Sequence, residues 1–283
     1  MSQPVIVIFK GQSQYDVMRY FADYIATAFE QYGYPIKIID FLEKDAITQL
    51  NTTIQNQEIF FFFSFNGIGI NIDVQGKSLY DQLNVPLVAF FVDDPIYHIE
   101  RINHKVENVI FSFVDRNHMD FTTNHLFKKH TKVFIPHASS IDEQHQVTPI
   151  SGREVDIFLP GSYSDPDTYR SQWKQFGPVI SNLMDEIMEY TYSNWGIPLY
   201  QVFRKILNNK GIEYNNYGER PVYFLKLIDM YLRQRRRREI VLSLKEFNLH
   251  LCGNGWESMK GLPKTVRIDT NMPYPEVINK MGD

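Results

Sequence analysis

Five short stretches of this chain are apolar almost from end to end: Val5 to Phe9, Ile59 to Phe65, Pro86 to Val92, Asn108 to Phe113 and Lys132 to Ile135. Runs of that length without alternation are what a parallel sheet requires when helices cover both of its faces, because each side chain then meets an apolar layer. Each run ends in residues that turn the chain: Gly11, Asn66-Gly67, Asp93-Asp94-Pro95, Asp115 and Pro136-His137. Between the first run and a strand expected at Ile36 to Ile39, the residues Val17, Phe21, Ile25, Ala28, Phe29 and Tyr32 recur at helical spacing until Gly33, which makes the opening a βαβ unit. Ser13 followed by Asp16 has the form of a capping box. Further helices are expected at Ser78 to Leu83 and around Met119 to Lys129. Residues 1–140 are therefore expected to form one doubly wound α/β domain whose polar and glycine residues collect at strand ends, where open sheets bind ligands.

At 283 residues and 43% hydrophobic content the chain is long enough for two domains with cores of their own. A net charge of -4 and a pI near 6.1 supply no global positive field, so nucleic acid is not expected as a partner. The single cysteine, Cys252, excludes an internal disulfide and a cysteine zinc cage and suits a reducing cytosol. No apolar run is long enough to cross a bilayer, so a cytoplasmic protein is expected, with peripheral contact at the inner membrane face left open.

Ser139 to Arg153 is polar and aperiodic and reads as a linker, placed at 141–153. A second α/β domain, 154–283, begins with the strand Val155 to Leu159, which runs into Pro160-Gly161-Ser162-Tyr163. Residues 167–246 carry helical periodicity throughout and read as an insertion before the chain returns to strand at Leu249. That strand enters Gly253-Asn254-Gly255-Trp256, where two glycines lack the Cβ atoms that keep backbone amides from a phosphate; the same pattern also makes an ordinary tight turn. Arg233 to Arg238 on the last long helix reads as a solvated face, or as a contact for an anionic partner such as a phosphate or a lipid surface.

Together these stretches resemble a known family. F-L-P-G-S-Y at 158–163, the helical segment 236–244, L-H-L-C-G-N-G-W at 249–256 and Y-P-E-V-I-N-K-M at 274–281, with F-S-F-N-G at 63–67, F-V-D-D-P at 91–95 and F-I-P-H-A at 134–138, are similar to the bacterial-type GT-B glycosyltransferases, in the branch of the spore-maturation (CgeB-like) proteins. The resemblance implies two Rossmann-like doubly wound domains, the second incomplete and carrying the helical insertion. It implies transfer of a sugar from a UDP- or GDP-sugar donor to a glycan, lipid or protein acceptor, with no obligatory cofactor or metal. Gly161, Ser162 and Tyr163, Gly253, Asn254, Gly255 and Trp256, and Tyr274 and Glu276 would then hold the donor, and Gly11, Asn66 and Asp93 would face the acceptor.

Transfer of a sugar needs a base for the acceptor hydroxyl. Asp94, the second of two adjacent carboxylates at a strand end, is the first candidate, with His98 and His137 behind it; Asp before Pro is equally a turn or cap, and a loop histidine is equally a solvated one. Trp256 and Tyr163 could stack on a base or sugar or simply pack in the core. Asp165-Pro166-Asp167 has the letters of a metal motif in the position of a helix cap. The alternative function is a non-catalytic binding or scaffold protein. The sequence leaves the oligomeric state open.

Overall fold

The computed structural model describes residues 3–124, 126, 128–138, 149, 152, 155–212, 219–263, 265–270 and 272–282. The chain divides into two compact units, 1–140 and 141–283. The linker expected at 141–153 lies outside the described residues except for Pro149 and Gly152.

The first unit runs β1 (Val5–Lys10), α1 (Val17–Gln31), β2 (Ile36–Asp40), α2 (Ala46–Asn56), β3 (Ile59–Phe65), β4 (Asp73–Val74), β5 (Lys77–Ser78), α3 (Leu79–Leu83), β6 (Leu87–Phe91), α4 (Ile99–Asn103), β7 (Val109–Phe113), α5 (Arg116–Asn124) and β8 (Thr131–Phe134). Six strands form one sheet in the order β2-β1-β3-β6-β7-β8, every pair of them parallel. Neighbouring residues of a strand go to opposite cores: Val5, Val7 and Phe9 pack with Phe62 and Phe111 beneath Leu50 of α2, Tyr80 of α3 and Ile102 of α4, whereas Ile6 and Ile8 pack with Phe63 and Phe65 beneath Ala22 and Ala26 of α1. Two covered faces explain why the central strands are apolar at most positions, with Ser64 of β3 and Ser112 of β7 as buried exceptions. The order reverses between β1 and β3, so the carboxyl ends of those strands flank a topological switch point.

Two local expectations change. The Ser13 hydroxyl accepts the Met18 N–H at 3.1 Å, but Asp16 does not return the bond of a capping box; it stands in left-handed backbone (φ 57°) and lies 3.7 Å from Arg19. In addition, α2 and the antiparallel β4–β5 hairpin stand in stretches that gave no periodic signal.

The second unit runs β9 (Ile157–Pro160), α6 (Pro166–Lys174), α7 (Pro178–Ser193), α8 (Leu199–Asn209), α9 (Glu219–Ser243), β10 (Leu249–Cys252), β11 (Arg267–Asp269) and α10 (Tyr274–Gly282). Among the described residues its strands are parallel in the order β11-β10-β9, which steps one way without the reversal seen in the first unit. Trp173 of α6 is fully buried, its ring against Tyr231 of α9 and its indole N–H satisfied by Asp185 of α7 at 3.1 Å, while Arg170 grips the same carboxylate with two bonds of 3.0 Å. Much of the arginine run is also absorbed internally. Arg233 pairs with Asp229 at 2.7 Å, Arg235 pairs with Glu239 and lies over the Tyr192 ring, and Arg237 donates to the Ser162 carbonyl.

The turns after β9 and β10 cross at backbone contact. A Cβ on Gly253 (φ +133°) would stand 2.7 Å from the Gly161 carbonyl, and one on Gly255 (φ +88°) would stand 2.1 Å from the Tyr163 carbonyl oxygen. Tyr163 N–H donates to the Asn254 carbonyl at 2.9 Å, and the fully buried Trp256 donates its indole N–H to the Gly161 carbonyl at 2.7 Å while stacking on Tyr163. Among the described residues no helix is long and apolar enough to cross a membrane. Gly255→Ala is expected to destabilise the protein by more than about 2 kcal/mol, because clash adds to the backbone penalty, whereas Gly211→Ala, also left-handed but with open space around the new methyl, is expected to cost about 1 kcal/mol. Urea unfolding of both variants checks this, and equal losses would contradict the crossing as the reason for Gly255.

Candidate functional site

At the carboxyl end of β3 the chain turns through Asn66 (φ 51°) and Gly67 (φ 66°), both left-handed. Asparagine tolerates that backbone better than most residues, and here its side chain is used in full. Asn66 Oδ1 accepts the Val92 N–H at 3.0 Å, Asn66 Nδ2 donates to Asp93 Oδ2 at 2.8 Å, and Arg101 Nη1 donates to the Asn66 carbonyl at 2.7 Å. The buried side chain therefore ties the end of β3 to the end of β6, and the backbone carbonyl of the same residue ties it to α4.

Beyond this junction the two carboxylates diverge. Asp94 turns inward as the cap of a short helical turn, Pro95–Tyr97, accepting the Ile96 N–H at 3.0 Å. Asp93 points outward, with 53% of its side chain exposed against 32% for Asp94. Each stands beside an imidazole, His98 Nε2 at 3.6 Å from Asp93 and His118 Nε2, from α5, at 3.8 Å from Asp94. These separations are too long for hydrogen bonds, so the pairs gain charge attraction only when the histidines are protonated. The His98 ring packs on the buried Phe91, and its Nε2 is covered without a hydrogen-bond partner among the described residues.

The other side of the same edge is paired internally. Lys10 at the end of β1 binds Asp23 of α1 at 2.7 Å, and Arg19 of α1 binds Asp40 at the end of β2 through two bonds of 2.8 and 2.5 Å. The hydrogen bond from Arg19 holds the Asp40 carboxyl below its usual pKa, against the upward push of burial. Gly11 is buried under Ile68, whose side chain lies 3.3 Å from the position of a Cβ. His137 stands exposed in the segment after β8.

The residues expected to hold a donor are placed in the second unit with their turn amides engaged. Gly161 N–H donates to the Cys252 carbonyl at 2.7 Å, and Gly253 N–H to the Asp269 carbonyl at 2.9 Å. Ser162 gives its carbonyl to Arg237, Gly253, Asn254 and Gly255 make the loop crossing, and Tyr163 and Trp256 are buried against each other. Tyr274 and Glu276 lie in the first turn of α10. Asp165 caps α6 by accepting the Asp167 N–H at 3.0 Å. Behind the crossing the fully buried His250 holds Asp269 at 2.7 Å; burial pushes the Asp269 carboxyl up, but the bond and charge of His250, with Arg267, bring it below its usual pKa. Among the described residues no group of three or more histidine, cysteine, aspartate or glutamate side chains is arranged to hold a metal ion.

Of the residues singled out from the sequence, Asn66, Asp93, Asp94 and His98 come together, and Gly11 and His137 are not drawn into their network. Arg101 and His118 join them without having been anticipated. Both lie in the helices that follow β6 and β7, so a search for polar residues within the first turns after each strand could have found them.

No family model matches the chain, and no curated protein matches it. A solved structure that does match is that of a periplasmic binding protein/LacI transcriptional regulator from Alkaliphilus metalliredigens QYMF complexed with D-xylulofuranose, at 12% identity and a TM-score of 0.29, covering 94% of this chain and 77% of that one. At that TM-score nothing about the role or ligand of this chain follows from the likeness. The resemblance to GT-B glycosyltransferases is corrected by the comparison with family models: no model of that or any other family matches the chain. The reading of the chain as a glycosyltransferase falls with it.

Asn66→Ala is expected to destabilise the protein by about 2–3 kcal/mol, since it strands the Val92 N–H and places a Cβ residue without a polar side chain in left-handed backbone. Asn66→Gly is expected to lose about 1 kcal/mol less. Denaturant unfolding of the pair checks this, and a loss under about 0.5 kcal/mol for Asn66→Ala would contradict the junction.

Proposed function

We propose that the chain is a non-catalytic binding protein whose first unit takes a small, neutral, polyhydroxylated ligand at the carboxyl ends of β3 and β6. The observation that carries this reading is Asp93, a half-exposed carboxylate held in place by Asn66 Nδ2 at 2.8 Å at the ligand-binding edge of a doubly wound sheet. A hydroxyl group both donates and accepts, so it is best met by an acceptor and a donor on neighbouring supports. Asp93 supplies the acceptor, and the Arg101 guanidinium, anchored one bond away on the Asn66 carbonyl, supplies further donors. Because both are fixed by the same asparagine, little side-chain freedom remains to be lost when a ligand binds.

A binding role is favoured over chemistry by the use made of Asp94. The carboxylate that would serve as a base is engaged as the cap of the turn that follows it. The chain's net charge of -4 favours a neutral ligand at this carboxylate-bearing edge over an anionic one.

The test is a thermal-shift series on the full chain with neutral pentoses, hexoses and polyols at millimolar concentration. At least one is expected to raise Tm in a concentration-dependent way, reaching a stabilisation of about 2.7 kcal/mol at a hundredfold excess over Kd. Asp93→Ala is expected to abolish most of that rise. No shift with any member of the series, or a shift untouched by Asp93→Ala, would overturn the reading.

A further inference from the structure

A cleft of the first unit lies away from the Asn66 edge. It measures about 1030 Å³ and opens beside the segments that lead into the amino ends of β7 and β8, and its wall is completed by the β4–β5 hairpin. That volume is at the upper end of what small-molecule sites use. Lys77 on the hairpin, Lys105 in the turn from α4 to β7 and Lys128 ahead of β8 all line it. Among the described residues none of the three ammonium groups has an ion pair or a hydrogen bond. Lys128 is partly withdrawn from water, and this burial holds its pKa below the usual lysine value.

The acidic residues of the cleft do not supply the missing counter-charge. The Asp81 carboxylate is taken up by backbone amides, accepting the Glu107 N–H at 2.9 Å and the Asn108 N–H at 2.7 Å. Asp73 faces His104 Nε2 at 3.2 Å. Glu100 and Glu107 also line the cleft unpaired among the described residues; they are exposed, as are Lys77 and Lys105, so water and salt screen both signs there. Three lysines from three separate segments thus line one cleft, and none of their ammonium groups is paired among the described residues.

From these unpaired lysines lining one cleft we infer that it is a site for a small molecule bearing an oxyanion, a phosphate or its ester, held by Lys77, Lys105 and Lys128. The inference is independent of the hydroxylated ligand proposed for the carboxyl edge, because it uses none of the same residues. Lysines suit such a ligand: each brings a point charge with three donors that adapts to a tetrahedral anion. The hairpin is itself held in shape by the left-handed pair Gln75 (φ 53°) and Gly76 (φ 80°), so Lys77 stands on a tight turn and not on a long loop.

The test titrates the full chain with inorganic phosphate and, in parallel, with glycerol phosphate, following Tm at constant ionic strength made up with chloride. A saturable rise in the wild-type protein is expected, with its midpoint weakened about tenfold in Lys128→Gln and in Lys77→Gln. Saturation with inorganic phosphate assigns the free ion, and saturation with glycerol phosphate alone assigns an ester; either supports the site. Lys77 is exposed on the hairpin, so its variant carries the test if Lys128→Gln does not fold. A rise that never saturates and that chloride reproduces, or a saturable rise unchanged in both variants, would overturn it.

Discussion

Because helices cover both faces of the six-stranded sheet, most strand residues that reach either core are paid for by apolar burial; Ser64 and Ser112 are buried exceptions, and the polar groups that act together stand where strands stop. The consequence is visible in β3, β6 and β7. Phe62, Ala89 and Phe111 fill one core and Phe63 and Phe65 the other, and the chemistry begins one residue after the strand, at Asn66, or two residues after it, at Asp93. Removing one of the buried phenylalanines would cost about 3–5 kcal/mol, so the sheet is a stiff support for whatever stands at its edge. Asn66 converts that stiffness into a defined arrangement by bonding to Val92 and Asp93 with its side chain and to Arg101 with its carbonyl.

The second unit solves a different problem with similar letters. Its short sheet is closed by two turns that pass at backbone distance, which requires glycine at 253 and 255, and the crossing is sealed by Tyr163 stacked on the buried Trp256. Amides that face another loop's carbonyl and amides that face a ligand demand the same residues, because both require the absence of a Cβ. This is why L-H-L-C-G-N-G-W and F-L-P-G-S-Y resembled a nucleotide-binding family: the glycines and the tryptophan serve a close approach that many folds need.

The strands of the first unit were legible because a run such as Ile59–Phe65 has one stable use in water, and Pro86 to Val92 likewise. The helix α2 was not legible, since it buries only Ala46, Leu50 and Thr53 among polar neighbours, nor was the β4–β5 hairpin, whose strands are two residues long. In the candidate site, Asn66, Asp93, Asp94 and His98 were marked by standing at or near strand ends. Whether Asp94 would face solvent or cap a turn depended on the Ile96 N–H, a backbone direction that composition does not carry. Arg101 and His118 enter from helices whose rotation about their axes is set by packing, with Ile102 and Phe121 turned to the core.

The central claim is that the carboxyl edge built on Asn66 is a preorganised ligand site. The most direct measurement is an amide nitrogen–proton correlation spectrum of the full chain, recorded with and without a saturating neutral sugar that raises Tm. Perturbed resonances are predicted to cluster at residues 66–69, 92–101 and 115–118, with those of 161–163 and 253–256 unmoved. Perturbations concentrated at the glycine crossing, or none above noise at the Asn66 edge, would contradict the account.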